Sequence, residues 1–472
     1  MVQRLLINGE PEYIEFYPKL EKEDEEGRSW VLQNGKYTLK FREEPLGYFN
    51  SFVDVPAEIE IDAITAEELK LRINEVIDEH LAAQREGLEP EQETSTPKIP
   101  YPYDPRTISI SSSNWSLDFI LQLLNKGVIN LSPDFQRNFV WDHKQQSQLI
   151  ESILLGIPIP TFYLAKTEKR YNVVDGLQRF TTIKRFMNNE FPLKNLEYLK
   201  DGYSPENNLE GRYFKSDGKK LGIGEDYEFV LRSTQMNVNV IDVNTPSQVK
   251  FDIFRRLNAN GKPLNKQEIR NCMMEDEPRE LINRLAKSES FQLATAKSVT
   301  TTRMNAQELV MRFIGFWYSR VLKTGNVVYQ GDMQFFLDDL VDQLNKDQGK
   351  YHQLIERDFE QAMENAFYLF GQYAFRKCLS KDLVPGANRQ LINKSLFTTW
   401  SVSLCSLNPQ VLNQQVASGA FAILLANELE RAKEPGKMSY YESVTIGTND
   451  KPSLDLAFAK AEEMIKTHLT KK

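Results

Sequence analysis

The sequence predicts an α+β fold in three parts: a small β-rich N-terminal appendage, a mixed central domain and an all-helical C-terminal domain. Three observations predict it. Short apolar runs separated by turn residues fill the chain up to Thr65. Strand-length and helix-length apolar patterns alternate through the middle, and beyond Pro263 the apolar residues recur at helical spacing. At 472 residues the chain exceeds the usual size of one core, so two or three cores are expected. The boundaries read as 1–90 for the appendage with its helix, 91–106 for a linker, 107–270 for the central domain and 271–472 for the helical domain.

The elements follow in order. Tyr13–Tyr17, Trp30–Leu32 and Tyr37–Phe41 are strand-like, and Asn34-Gly35 is a hairpin signal between the last two. Thr65 opens a helix running to about Glu86, with acids in its first turn. The Glu-, Ser- and Pro-rich stretch from Gly87 to Pro105 reads as an exposed linker. Ser116–Asn125 is a helix with Leu117, Ile120, Leu121 and Leu124 on one side. Asp142 caps the next helix, whose apolar face is Leu149, Ile150, Ile153 and Leu154, and Gly156 with Pro158 ends it. Thr161–Ala165 and Tyr171–Val174 form a hairpin, and Val238–Val243 is another strand of that sheet. Between them, Lys194–Asp226 is polar and glycine-punctuated, an insertion or mobile loop. Helices are expected over Asn305–Tyr318, Asp332–Leu344, Asp358–Phe375, Asn393–Leu404 and Val411–Leu429, their aromatic stripes facing a core.

Composition narrows the function classes. No apolar stretch approaches the roughly 20 residues that span a bilayer, and the N-terminus meets polar residues too early for a signal peptide. Three cysteines and four histidines are scattered without metal-ligand spacing, which predicts buried thiols in a reducing cytoplasm and no zinc site. The net charge of -8 argues against tight nonspecific DNA binding. A local basic face of Lys166, Lys169, Arg170, Lys184 and Arg185, with Arg255 and Arg256 nearby, stays open as a DNA contact or as ordinary solvated surface.

The segment Tyr171–Ile183 carries the chemistry. It reads as a strand, a polar turn at Asp175-Gly176 and a helix opening near Gln178-Arg179, with Phe180, Ile183, Phe186 and Met187 on its buried face. A helix start bearing an arginine and hydroxyls suits a phosphate or another anion. The Arg179 guanidinium can grip two phosphate oxygens or pair with a carboxylate to brace the turn. Gly176 allows positive φ or close backbone approach. Gln178 can bond phosphate, orient water or cap the helix. Asp175 can hold Mg²⁺ or activate water, or form an Asx-turn around the glycine. Thr181 and Thr182 can bond phosphate or the helix itself.

Asp175-Gly176-Leu177-Gln178-Arg179 with Phe180-Thr181-Thr182 resembles the Asp-Gly-Gln-Gln-Arg signature of the DUF262 family, which includes the N-terminal domains of GmrSD-type modification-dependent restriction enzymes. Three more stretches resemble that family in the same order: Asp134-Phe135-Gln136-Arg137 with Val140-Trp141, Leu149–Pro160, and Phe254–Asn258 with Gly261, Leu264 and Glu268-Ile269-Arg270. The likeness spans roughly Trp115 to Cys272. It implies a ParB/sulfiredoxin-like central domain that binds an NTP with Mg²⁺ and serves defence against phage or other foreign DNA.

The resemblance also implies site roles. Asp175, Gln178 and Arg179 would be catalytic, with Asp175 at the metal. Gln136, Arg137, Gly176, Thr181, Thr182 and Asn258 would hold the nucleotide. Arg137 has a structural salt bridge to Asp134 or Asp142 as its alternative, Trp141 packs in the core or stacks on a base, and Asn258 and Asn260 complete the pocket or an ordinary loop. Two departures bear on activity. Leu177 stands where many relatives carry a glutamine, which weakens the case for turnover more than for binding. His352 and His468 lie in no HNH-like motif, so nuclease action would need the ParB-like domain or a partner protein. The readings are therefore a cytoplasmic, slowly hydrolysing NTP-dependent defence protein, a non-catalytic regulator with a vestigial pocket, or a metal-dependent DNA nickase.

Overall fold

We describe a computed structural model covering 108–131, 141–167, 170–200, 208–257, 265–300 and most of 302–469. Before residue 108 it describes the strands within 2–60, Ile73, Gly87–Glu89 and Glu91. The chain divides into two compact units. One comprises Met1–Lys98, Glu280–Met333 and Lys350–Lys472; the other comprises Ile99–Arg279 and Gln334–Gly349.

The N-terminal region is β-rich, as expected, with more strands than the apolar runs disclose. β1 (Val2–Ile7), β2 (Glu10–Glu15) and β7 (Ile59–Glu60) form one sheet in the order β2-β1-β7. β3 (Tyr17–Asp24), β4 (Gly27–Gln33), β5 (Thr38–Glu43) and β6 (Phe49–Asp54) form an antiparallel meander. Trp30 lies directly across from Phe41, and their rings stack with centroids 6.1 Å apart. Such cross-strand aromatic pairs stabilise a sheet beyond the area they bury. The Asn34-Gly35 turn joining β4 to β5 is outside the described residues, as is the expected helix after Thr65 apart from the buried, helical Ile73.

The linker reading fails at its first residues. Gly87 and Leu88 are buried. Leu88 bridges to Ile392, Glu89 reaches Asn393 and Lys377, and Glu91 reaches Arg312 and Lys394. A hydrophilic composition conceals this because the acids are consumed by partners distant in sequence. A Cβ on Gly87 would sit 1.8 Å from the Ser298 carbonyl oxygen, so this crossing requires glycine.

The second unit holds a five-stranded mixed sheet in the order β8-β12-β10-β11-β9. β8 (Ile110–Ser116) and β9 (Ile129–Asn130) are its edges; β10 (Phe162–Lys166), β11 (Tyr171–Asp175) and β12 (Gln235–Ile241) lie between them. β10 and β11 form the expected antiparallel hairpin, and β12 runs parallel to β10. The helices are α1 (Leu117–Asn125), α2 (His143–Leu154), α3 (Leu177–Met187), α4 (Glu225–Ser233), α5 (Ser247–Leu257) and α6 (Lys266–Met273). Ser116 caps α1, and Asp142 caps α2 in a reciprocal box with Gln145. Ile120, Leu124, Ile150, Ile153, Phe162, Phe180, Ile183 and Phe186 meet in one core.

Lys194–Asp226 is not a peripheral loop among its described residues. Leu196, Leu199, Leu209, Phe214 and Ile223 are buried in that core. The carboxylate of Glu151, itself 3% exposed, accepts the backbone N–H groups of Glu197, Tyr198 and Leu199 at 2.8–3.1 Å. Charge-assisted bonds to otherwise unpaired backbone donors fix the segment.

The C-terminal region is helical, as predicted. Helices run over Asn305–Phe316, Met333–Asp347, His352–Phe370, Lys394–Leu404, Ala420–Leu429 and Lys451–Leu469. Leu309, Val310, Phe313, Ile314 and Trp317 are buried, and Asn393 caps its helix. The expected Val411–Leu429 helix is interrupted: Leu412 is helical, the chain turns at Val416–Gly419 with Gly419 at φ +79°, and the helix resumes over Ala420–Leu429. Among the described residues no helix is long and apolar enough to cross a membrane.

Candidate functional site

The turn between β11 and α3 is built around Gly176, at φ +100°. Glycine is required there twice over: side chains avoid this dihedral, and a Cβ would lie 2.5 Å from Cδ1 of Phe162. Gly176 is the N-cap of α3 and offers no side-chain cap; its carbonyl accepts the Phe180 N–H at 2.8 Å. The helix start is thus polar and positively polarised, as the sequence predicts.

Arg179 is buried, with 9% of its surface exposed. Its Nη2 meets Asp175 Oδ2 at 2.8 Å and donates to the Thr161 carbonyl at 3.2 Å, while Nη1 donates to the Pro160 carbonyl. Its guanidinium carbon stands 4.5 Å from the centre of the Phe162 ring. Burial holds the guanidinium below its ordinary pKa, and Asp175 opposes that shift. The geometry realises the turn-bracing alternative for Arg179, tying α3 to the start of β10. Asp175 stays accessible, with 40% of its side chain exposed.

The structure brings Asp175, Gly176, Gln178 and Arg179 together on one turn. Gln178 and Thr181 are half-buried, whereas Thr182 is fully buried and its Oγ1 has no hydrogen-bond partner. Gln136, Arg137 and Asn258 fall outside the described residues, as do Asp134, Asn260 and Gly261. Trp141 is partly buried against the core, the packing alternative. The basic residues are dispersed. Arg170 pairs with Glu275 and Asp276, and Arg185 with Glu190. Lys166 is exposed at the β10–β11 connection, the opposite end of the hairpin from Asp175. Lys169 and the Arg255 side chain are outside the described residues.

Sequence reasoning missed the partners of Arg270, within the Glu268-Ile269-Arg270 stretch. Its buried guanidinium meets Asp338 at 2.7 Å and the Gln334 side chain at 2.6 Å. No local signal announces a carboxylate sixty-eight positions away. Glu268 closes a capping box with Asn265. The three cysteines are buried, as expected, and burial pushes Cys378 and Cys405 up to about 12.

Among the described residues no three His, Cys, Asp or Glu side chains gather as a metal cluster. Asp175 could contribute one carboxylate oxygen to Mg²⁺ while keeping Arg179 on the other, with phosphate oxygens completing the set. That donor chemistry fits a metal arriving with a nucleotide rather than a free-standing site.

No curated protein and no solved structure gives a match to the chain. Residues 120–275 match the family model described as the GmrSD restriction endonuclease, N-terminal domain, a span containing the core, the Asp175-Gly176 turn and the capping box of α6. This segment of the chain belongs to the GmrSD restriction endonuclease N-terminal domain family, formerly DUF262.

Proposed function

We propose that the protein acts in restriction of foreign DNA and that its ParB/sulfiredoxin-like domain binds an NTP with Mg²⁺ at the start of α3. The observation that carries this reading is the uncapped helix start at Gly176, braced by Asp175 and Arg179. Backbone N–H groups at such a start face an anion without desolvating a buried cation. Here Arg179 acts as a brace that fixes the turn and pairs with Asp175. Gln178 and Thr181 contact phosphate, and Asp175 holds the metal, which supplies charge neutralisation when bound. Gln136, Arg137 and Asn258 are the family-derived complement. Slow hydrolysis is coupled to DNA sensing or to a partner protein, and cleavage resides in that partner.

A second reading, a regulator with a vestigial pocket, is favoured by the engagement of the Arg179 guanidinium with protein acceptors and by Leu177. Phosphate release from ATP, GTP, CTP and UTP with Mg²⁺, with and without DNA, separates the two. Wild type, Gln178→Ala and Arg179→Ala are run together, with binding followed by calorimetry. Turnover lost in Gln178→Ala, a variant that keeps the brace, supports the NTPase. Absence of any nucleotide binding by the folded wild type, with or without DNA, overturns it in favour of the regulator.

A further inference from the structure

A second site opens at the other end of the same sheet. A cleft of about 870 Å³ lies where the parallel strands β10 and β12 deliver their carboxyl ends, and every residue lining it belongs to the second compact unit. In open sheets with parallel strands, ligands settle at the carboxyl ends. The volume suits a mononucleotide-sized molecule.

The charges around the cleft do not cancel. Asp276 is consumed by Arg170 and Arg279, and Glu275 by Arg170. Lys126, Lys166, Lys250 and Lys346 remain on its walls, against Glu277 and Asp342. Lys250 is 7% exposed and donates to the Val243 carbonyl at 2.9 Å, so its charge is built into the wall. Lys126, Lys166 and Lys346 are exposed and, among the described residues, form no ion pair. Pro246, directly before the first residue of α5, lines the rim and brings the positive end of that helix to it.

Two unmet polar groups mark the same strand face. Arg170 lines the cleft, and its Nε is buried without a hydrogen-bond partner. Two residues along, Asn172 is 2% exposed, and neither its Oδ1 nor its Nδ2 has a partner. Asn172 pairs directly with Ala165, which lines the cleft floor, so the two side chains share a face of the sheet. Buried donors and acceptors left unpaired mark a place for water or a ligand.

We infer that this cleft binds a polyphosphate-bearing small molecule, at a site distinct from the Asp175-Gly176 turn. The three exposed lysines and the α5 start hold the phosphates, and the Val128 and Met273 side chains line the remaining space.

The test is titration of the full chain with inorganic tripolyphosphate by calorimetry. Lys166→Gln/Lys346→Gln is compared with wild type, with Gln178→Ala, and with Lys215→Gln/Lys219→Gln as a charge-matched control on exposed lysines elsewhere. The expected result is a saturable binding phase, weakened about tenfold in the first variant, or roughly threefold per exposed cation, unchanged in the charge-matched control and retained in Gln178→Ala, which removes only a phase belonging to the helix start. No binding by the folded wild type overturns the site, as does binding indifferent to the cleft lysines. An equal loss in the charge-matched control reduces the effect to bulk electrostatics and also overturns it. Loss in Gln178→Ala alone assigns the anion to the helix start, so failure here is distinguishable from failure of the nucleotide reading.

Discussion

Substituting Gly176 by alanine tests the architecture of the signature turn. Two costs combine. The φ of +100° forces an L side chain into a region disfavoured by about 1–2 kcal/mol. The new Cβ also lands 2.5 Å from Cδ1 and 3.0 Å from Cε1 of Phe162, a ring buried beneath α3 and unable to withdraw. Overpacking of that kind costs about 1–3 kcal/mol. The sum is about 2–5 kcal/mol. Gly211→Ala provides the control: its φ is +78°, but nothing lies within 4 Å of the added carbon, so only the dihedral cost of about 1–2 kcal/mol applies. Urea unfolding of both variants, with amide exchange read separately over α3 and over the C-terminal helices, localises the loss. A Gly176→Ala variant no less stable than Gly211→Ala, with unchanged exchange in α3, would refute the packing argument.

Other expectations follow from the ion pairs and thiols. Glu91→Gln should destabilise its unit by about 1–3 kcal/mol, because Glu91 meets the buried Arg312 guanidinium at 2.6 Å while Glu308 stays behind as a second partner; equilibrium denaturation measures this, and no loss would mean that the Gly87–Glu91 segment is not held. Burial works to raise Asp276, yet bonds from Arg170 and Arg279 bring it below the ordinary value of 3.8. Its contribution to stability is therefore complete above that value and is lost as pH falls through the lower folded one. Asp276→Asn should flatten the acid limb of a stability–pH curve, and an unchanged limb would contradict the pairing. Cys378 and Cys405, pushed up to about 12, and Cys272, raised by complete burial, should resist a thiol reagent at neutral pH until the protein unfolds; rapid labelling of the folded chain would show that they open readily.

The legible parts of the fold were those whose signal is local. Asp142 announces a cap by residue type, and the β10–β11 hairpin and the apolar face of α3 announce themselves by period. The hidden parts depend on partners far along the chain. β8 is a polar edge strand of serines, readable only by its pairing with β12. Lys194–Asp226 looks like loop because its leucines are isolated among polar residues, and Glu151, which anchors it, lies on another element. At the signature, sequence identified the cluster but left the role of Arg179 open. That choice rests on the Pro160 and Thr161 carbonyls, whose approach is a tertiary fact.

Those carbonyls also change the meaning of Leu177. An arginine held by three protein acceptors and stacked on Phe162 cannot leave to grip phosphate without stranding Asp175 and both carbonyl groups. Pulling this buried guanidinium away from all three acceptors costs more than one exposed phosphate contact returns. Anion binding at this turn must then draw on backbone N–H groups of α3, which any residue supplies, so an aliphatic side chain at 177 need not abolish it. On the proposed NTPase reading hydrolysis is different, because water must be oriented by a side chain; with Leu177 unable to do so, that reading gives the task to Gln178. Gln178→Ala should therefore reduce turnover more than affinity, whereas Arg179→Lys, which keeps the charge but loses the planar fork, should loosen the turn and weaken both together.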